Sequence, residues 1–311
     1  MQNKINILLA NPRGFCAGVK RAIEMVELAL TKYGPPIYVR HEIVHNKRVV
    51  EDLMKKGAIF VKELSEVPRG SKVIFSAHGV ATAVKNQAKS YEHLTIDATC
   101  PLVSKVHMQT QNYNKKNYDI ILIGHRGHPE VIGIQGQISN KITIVENEEE
   151  AKSLKINANK PLAYVTQTTL SMNDTKNIIS VLKRKFPDII GPDLDDICYA
   201  TQNRQEAVAE LASLCDMVLV IGGENSSNTK RLAEIVEKKN VPVYRISSLE
   251  EFQKKWLNGV DKLGITAGAS SPEVLIDEII SHIQNSYKNV IVETIEGVEE
   301  KIRFKPLTEF K

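Results

Sequence analysis

The 311-residue chain has no apolar run near the roughly 20 residues that a membrane-crossing helix needs. Its longest runs, IILIG at 120–124 and MVLVIGG at 217–223, are short and end in glycine. The opening MQNKINILLANPRG is too briefly apolar for a secretory leader, so a cytoplasmic protein is expected. There is no Arg-rich block. A net charge of +4 with Lys and Glu interspersed lacks the footprint of a nucleic-acid binder. Only four cysteines occur, too few without a leader for a disulfide framework. Neither a GxxxxGK[ST] loop nor a strand-associated GxGxxG fingerprint is present, so nucleotide, flavin and nicotinamide binding lack support. What is present is 42% hydrophobic and 25% charged residues, enough to bury a substantial core and to exclude a disordered chain.

Short apolar stretches ending in Gly, His, Ser or Thr alternate with helical periodicity, which predicts α/β architecture with mostly parallel strands. The cysteines mark an internal repeat. Cys16, Cys100 and Cys198 each begin a helical stretch, and twenty-five residues later comes a polar strand end, at His41, His125 and Gly223. A second polar strand end follows further on, at Ser76, Thr166 and Thr266. Three similar units are therefore expected, at 16–98, 99–195 and 196–291, each with a small, mostly parallel sheet. The N-terminal strand within 1–15 is expected to join the last unit, and 292–311 to form an arm over the surface.

Ligands of open α/β sheets gather beyond the carboxyl ends of the strands, so the three phased cysteines can be aimed at one point. A cysteine at a helix N-terminus lies in the positive end of the helix dipole, which favours thiolate, the form iron–sulfur clusters require. Cys215 lies at the far end of the helix that Cys198 begins. At 1.5 Å per residue the two sulfurs are about 25 Å apart, too far for one cluster. Cys215 therefore reads as a core thiol. The cluster then has three protein ligands and one open iron, the mark of a catalytic centre.

The string HEIVH at 41–45 matches a zinc-protease pattern, but that motif works only mid-helix, and here a Pro-Pro turn and a strand precede it. The polar strand ends share anion-binding chemistry instead. Ser226, Ser227 and Asn228 follow a Gly pair and Ser270 follows Gly268, while His45, His78 and His128 can add imidazolium charge. Glu130 beside His128 is a candidate general acid whose pKa should rise away from water, and Thr168 can orient a hydroxyl or a water. Asp195, Asp196 and Arg204 read as caps and solvated surface.

Taken together, NPRGFCAGVKRAIE, RHEIVHN, FSAHGV, DATCPLVSKVH, GHRGHPEV, TQTTLS, DDICYATQNRQEAV, NSSNTKRLAE and GITAGASSP resemble the 4-hydroxy-3-methylbut-2-enyl diphosphate reductases, terminal enzymes of the non-mevalonate isoprenoid pathway, in their bacterial form. The resemblance runs from about residue 11 to 272. It implies a trefoil of three α/β domains around one [4Fe-4S] cluster held by Cys16, Cys100 and Cys198. It also implies a diphosphate site at His45, His78, Ser226, Ser227, Asn228 and Ser270, with His128 lining the substrate. Glu130 would then donate protons and Thr168 would lie near the substrate hydroxyl. The implied reaction is two-electron reductive dehydroxylation of an allylic diphosphate, with ferredoxin or flavodoxin as electron donor. Two other readings stand beside it: a cluster-bearing redox sensor that binds a phosphorylated metabolite without turnover, and a zinc-dependent phosphoester hydrolase.

Overall fold

The computed structural model describes residues 4–156 and 160–305. The last part of the expected C-terminal arm, 306–311, lies outside them. The first elements are β1 (Lys4–Leu9), α1 (Ala17–Tyr33), β2 (Ile37–Arg40), α2 (Lys47–Lys55), β3 (Ala58–Val61), β4 (Lys72–Phe75), α3 (Thr82–Ser90) and β5 (Leu94–Asp97). Then come α4 (Pro101–Lys115), β6 (Asp119–Ile123), α5 (Pro129–Gln135), β7 (Thr143–Val145), α6 (Glu148–Ser153), β8 (Leu162–Thr166) and α7 (Met172–Lys185). The chain closes with α8 (Tyr199–Leu214), β9 (Met217–Ile221), α9 (Ser227–Glu237), β10 (Val243–Ile246), β11 (Lys262–Ala267), α10 (Glu273–Ser286) and β12 (Asn289–Thr294).

The strands form three sheets, of order β3-β2-β4-β5, β7-β6-β8 and β10-β9-β11-β1-β12, and every pairing between these strands is parallel. The central strands are apolar throughout. All five residues of β8 and of β9 are buried, as expected where helical crossovers cover both faces of a sheet.

The chain divides into two compact units. The first comprises Met1–Val19, His45–Val49 and Tyr199–Arg303 and holds the five-stranded sheet. The second comprises Lys20–Val44, Val50–Cys198 and Phe304–Lys311 and holds the other two sheets. In the first unit β1 lies between β11 and β12, pairing Leu9 with Ile265 and with Thr294. Pairing with β1 runs through Val292 to Thr294, so the irregular tail begins at Ile295 rather than at Val292. The alternation of Val290 and Val292, half-buried between exposed neighbours, suits an edge strand.

Cys215 follows α8 and sits in the first unit's core beside Leu211 and Val218. A Cβ on Gly264 would come within 3.0 Å of its sulfur, so glycine there makes room for the thiol. Among the described residues no helix is long and apolar enough to cross a membrane.

Ile265 has no exposed surface and sits mid-strand between β9 and β1. Truncating it to alanine leaves a cavity where parallel strands cannot collapse. Ile265→Ala should lower the unfolding free energy by about 2–5 kcal/mol in denaturant titration. A loss well below that range would contradict the packing of this sheet.

Candidate functional site

Each of the three phased cysteines stands immediately before a helix: Cys16 before α1, Cys100 before α4 and Cys198 before α8. Each is also tied by its amide to a carbonyl two residues beyond the end of a strand. Cys16 N–H donates to Ala269 O at 3.1 Å, past β11. Cys100 N–H donates to Ala77 O at 3.0 Å, past β4, and Cys198 N–H donates to Thr168 O at 3.0 Å, past β8. Each cysteine thus hangs on the sheet that precedes it in the repeat, not on the one that follows. The helix begun by Cys100 then packs against β6 and β8 of the next sheet.

These three thiols are half-buried, whereas Cys215 is buried and its pKa is pushed up to about 12 by burial, which leaves it a thiol. Half-buried thiols at helix starts have the donor chemistry an iron–sulfur cluster takes, and the raised pKa makes Cys215 the poorer thiolate. Among the described residues the cysteines form no disulfide.

In the second unit, Glu130 lies in the first turn of α5 and is 2% exposed. Thr168 wraps the carboxyl twice: its N–H donates to Oε1 at 2.7 Å and its hydroxyl to Oε2 at 3.0 Å. Burial pushes the Glu130 pKa up to about 7; the two Thr168 bonds pull it down, and the charge of Asp196 pushes it up again. Because Thr168 O accepts from Cys198 N–H, one residue links the buried acid to a cysteine backbone.

His128 caps α5, its Nδ1 accepting from Glu130 N–H at 3.1 Å. With Nδ1 accepting in that bond, Nε2 is the ring nitrogen left to carry a proton. His78 meets it edge to face with ring centroids 5.9 Å apart, and Ser76 Oγ lies 3.4 Å from His78 Nδ1.

In the first unit, Ser226 caps α9, its hydroxyl oxygen accepting from Thr229 N–H at 3.3 Å. The hydroxyl proton remains free to donate to a ligand. Asn228 Oδ1 accepts from Ala269 N–H at 3.0 Å, and its Nδ2, on a residue 4% exposed, has no partner among the described residues. An unpaired buried donor at the start of a helix suits an anion, drawn also by the helix dipole. Ser270 Oγ donates to His45 O at 3.0 Å, and a Cβ on Gly223 would lie 2.7 Å from that same carbonyl. Glycine is thus required where His45 crosses this strand end. Ser227 is the first residue of α9.

HEIVH is not helical. β2 ends at Arg40, His41 has φ 61°, and α2 starts only at Lys47. Among the described residues no group of three or more His, Cys, Asp or Glu side chains is arranged to hold a single metal ion.

Two residues read from sequence as surface are buried. Asp196 is 3% exposed, with a pKa pushed up to about 6 by burial; it accepts from Thr166 N–H at 3.3 Å and has Lys105 Nζ at 3.7 Å. Arg204 is 1% exposed and donates to Gly14 O, Ala200 O and the Glu300 carboxylate. Gln167 went unnoticed as well. It is fully buried, and its Oε1 accepts from His125 N–H at 3.0 Å. Most of their hydrogen-bond partners are remote in sequence, which is why composition and periodicity pass over them.

The sequence profile described as LytB protein matches residues 7–284. The 4-hydroxy-3-methylbut-2-enyl diphosphate reductase of Nitrosomonas europaea is 52% identical, over 96% of this chain and 95% of its own. That of Pseudomonas aeruginosa is 53% identical over 96% of both chains. The solved E-1-hydroxy-2-methyl-but-2-enyl-4-diphosphate reductase from Plasmodium falciparum is 43% identical and superposes with TM-score 0.94, over 99% of this chain and 97% of its own. The chain belongs to the LytB protein family.

Glu130 generates a pH signature of its own. Its folded pKa, about 7, lies above the unfolded carboxylate value. The folded state therefore holds the proton more tightly, and stability is lost as pH rises from the unfolded value through about 7. Glu130→Gln removes that loss. Its melting temperature relative to the parent should climb from pH 4.5 to pH 7.5, and a difference that stays flat across that range would refute the raised pKa.

Proposed function

We propose that this LytB-family enzyme reduces (E)-4-hydroxy-3-methylbut-2-enyl diphosphate to isopentenyl diphosphate and dimethylallyl diphosphate plus water. Two electrons and two protons are consumed, and the allylic C–O bond breaks. The observation that carries this reading is the buried Glu130–Thr168 pair joined through Thr168 O to Cys198 N–H. It ties a proton source and a thiol ligand together through hydrogen bonds to one residue, Thr168. The names of the relatives and the sequence motifs support the same substrate.

Cys16, Cys100 and Cys198 would hold a [4Fe-4S] cluster with one iron open. When bound, it supplies single electrons and Lewis-acid help to the departing hydroxyl. The protein's own residues do the rest. Asn228 Nδ2, the hydroxyls of Ser226 and Ser227, that of Ser270 once it turns its proton away from His45 O, and the imidazoles of His45 and His78 hold the diphosphate. Both phosphate groups are anionic, and these groups can donate hydrogen bonds to them. His128, protonated at Nε2, donates towards the substrate.

Glu130 is kept partly protonated near neutral pH by burial, so it can release a proton to the leaving oxygen. Thr168, which already donates to both carboxyl oxygens, can reverse its hydroxyl to accept that proton's bond and pass it outward. Two products arise because the allylic fragment can take its second proton at either terminal carbon. Electrons reach the protein from a ferredoxin or flavodoxin, and the site of action is the cytoplasm.

Reduced viologen in an anaerobic assay tests the reading. With iron and sulfide reconstituted, its oxidation should require the allylic diphosphate. A filled cluster that oxidises viologen no faster with substrate would point to a sensor. Glu130→Gln should cut turnover about 100-fold or more, the usual share of a positioned acid, while leaving iron content intact. Turnover near the parent's would remove Glu130 from the role.

The ligand set has its own check in iron analysis. Cys215→Ala should retain the parent's iron, whereas serine at 16, 100 or 198 should not. Iron lost with Cys215 would overturn the three-ligand assignment.

A further inference from the structure

Five or six residues beyond each cluster cysteine, on the helix it begins, stands a cation: Arg21 on α1, Lys105 on α4 and Arg204 on α8. Each reaches a backbone carbonyl just ahead of the next cysteine in cyclic order. Arg21 Nη1 donates to Thr99 O at 3.1 Å, one residue before Cys100. Lys105 Nζ donates to Asp195 O at 2.8 Å, three before Cys198. Arg204 Nε and Nη2 both donate to Gly14 O, at 3.1 and 2.8 Å, two before Cys16.

The C-terminal segment completes two of these contacts. Arg21 Nε donates to Lys305 O at 3.0 Å, and Arg204 Nη1 donates to Glu300 Oε1 at 2.8 Å. Asn203 Nδ2 also donates to Glu300 Oε1, at 3.1 Å.

We propose that Arg21, Lys105 and Arg204 are positioning residues, each fixing the loop that carries the next cysteine, and that the segment at 300–305 holds the two arginines in place. Arg21 is 7% and Arg204 1% exposed. A buried guanidinium that loses an acceptor is costly, so the carbonyl it holds cannot drift without stranding a charge. Lys105 is different, with a side chain 42% exposed, and as a hydrated point charge it should hold its loop less firmly. A peptide hung at one end on its sheet, through the cysteine amide, and at the other on a cation has little freedom left for the sulfur. The C-terminal tail thereby becomes part of the support of two cysteines.

The importance of these loops for catalysis rests on the cluster reading above; the loop restraint itself does not, and can be read without metal. The experiment is iodoacetamide labelling of the full-length chain prepared without iron, with each cysteine quantified by peptide mass spectrometry. Arg204→Met should speed labelling of Cys16 and Arg21→Met that of Cys100, each about ten-fold, the factor a charge-assisted hydrogen bond supplies. Lys105→Met should speed Cys198 by less. Cys215, buried in the core, reports global opening and should not change.

Glu300→Gln keeps the fold's bulk and should speed Cys16 alone, so the test survives if Arg204→Met fails to fold. Acceleration shared by all three cysteines, or accompanied by Cys215, would mean general destabilisation and overturn the proposal, as would no change. The paired pattern in a chain whose Cys16, Cys100 and Cys198 prove dispensable for iron would keep the restraint and discard the cluster reading instead.

Discussion

A cysteine amide bonded to a carbonyl two residues past the end of a parallel strand recurs at Cys16, Cys100 and Cys198, and the rest of the arrangement hangs on it. Parallel strands bring their carboxyl ends to one edge of each sheet, where the next helix starts. Tying the cysteine there does two things at once. It leaves the sulfur half-buried at a strand end, and it puts it ahead of a helix whose first N–H groups favour negative charge. A thiol moved one turn into its helix would lose both the anchor and the field. Cys215, at the opposite end of α8, has neither, and burial takes its thiolate away altogether.

The second unit carries two buried carboxyl groups whose environments keep them apart. Asp196 has an N–H from Thr166 and the ammonium of Lys105 nearby, and rises only to about 6. Among the described residues Glu130 has only Thr168 to stabilise its charge, and burial, helped by the charge of Asp196, pushes it up to about 7. When one of two interacting acids ionises first, the other holds its proton longer, so Glu130 is the more protonated of the two near neutral pH. Thr168 sets both the hydrogen bonding of that carboxyl and, through its carbonyl, the position of the Cys198 amide.

The sequence made the repeat legible because cysteine is rare here and helix starts are well signalled, so three equal spacings to a polar strand end stood out. Parallel α/β architecture and the false zinc string followed from turn and strand signals close to each residue. The phase was not legible: the cysteines read as openers of units, while their amides close the preceding sheets. Only tertiary hydrogen bonds reveal that. Arg204 and Asp196 were misread for the same reason. A charge is placed on the surface by default, and nothing near Arg204 in sequence announces that Gly14 O and Glu300 will receive it. Arg21 and Lys105 went unnoticed, because a cation on a helix is ordinary until its acceptor is known.

The repeat also shows how one position acquires different chemistry. The residue that caps the helix after the first polar strand end is Asn46 ahead of α2, His128 ahead of α5 and Ser226 ahead of α9. All three accept an N–H from the first turn of the helix, so all meet the same structural need. What they can offer a ligand differs. Ser226 keeps a hydroxyl proton to give and His128 an Nε2 proton, while the amide of Asn46 is turned to Val49 N–H through Oδ1. In α5 the cap's own hydrogen bond comes from Glu130, the residue that also carries the buried acid. A helix N-terminus favours the carboxylate by about 0.3–1 kcal/mol. The carboxyl is nonetheless pushed up to about 7, with burial the largest cause. An acid placed in the one setting that ought to ionise it, and kept protonated there by burial, is poised to ionise once its surroundings become more polar.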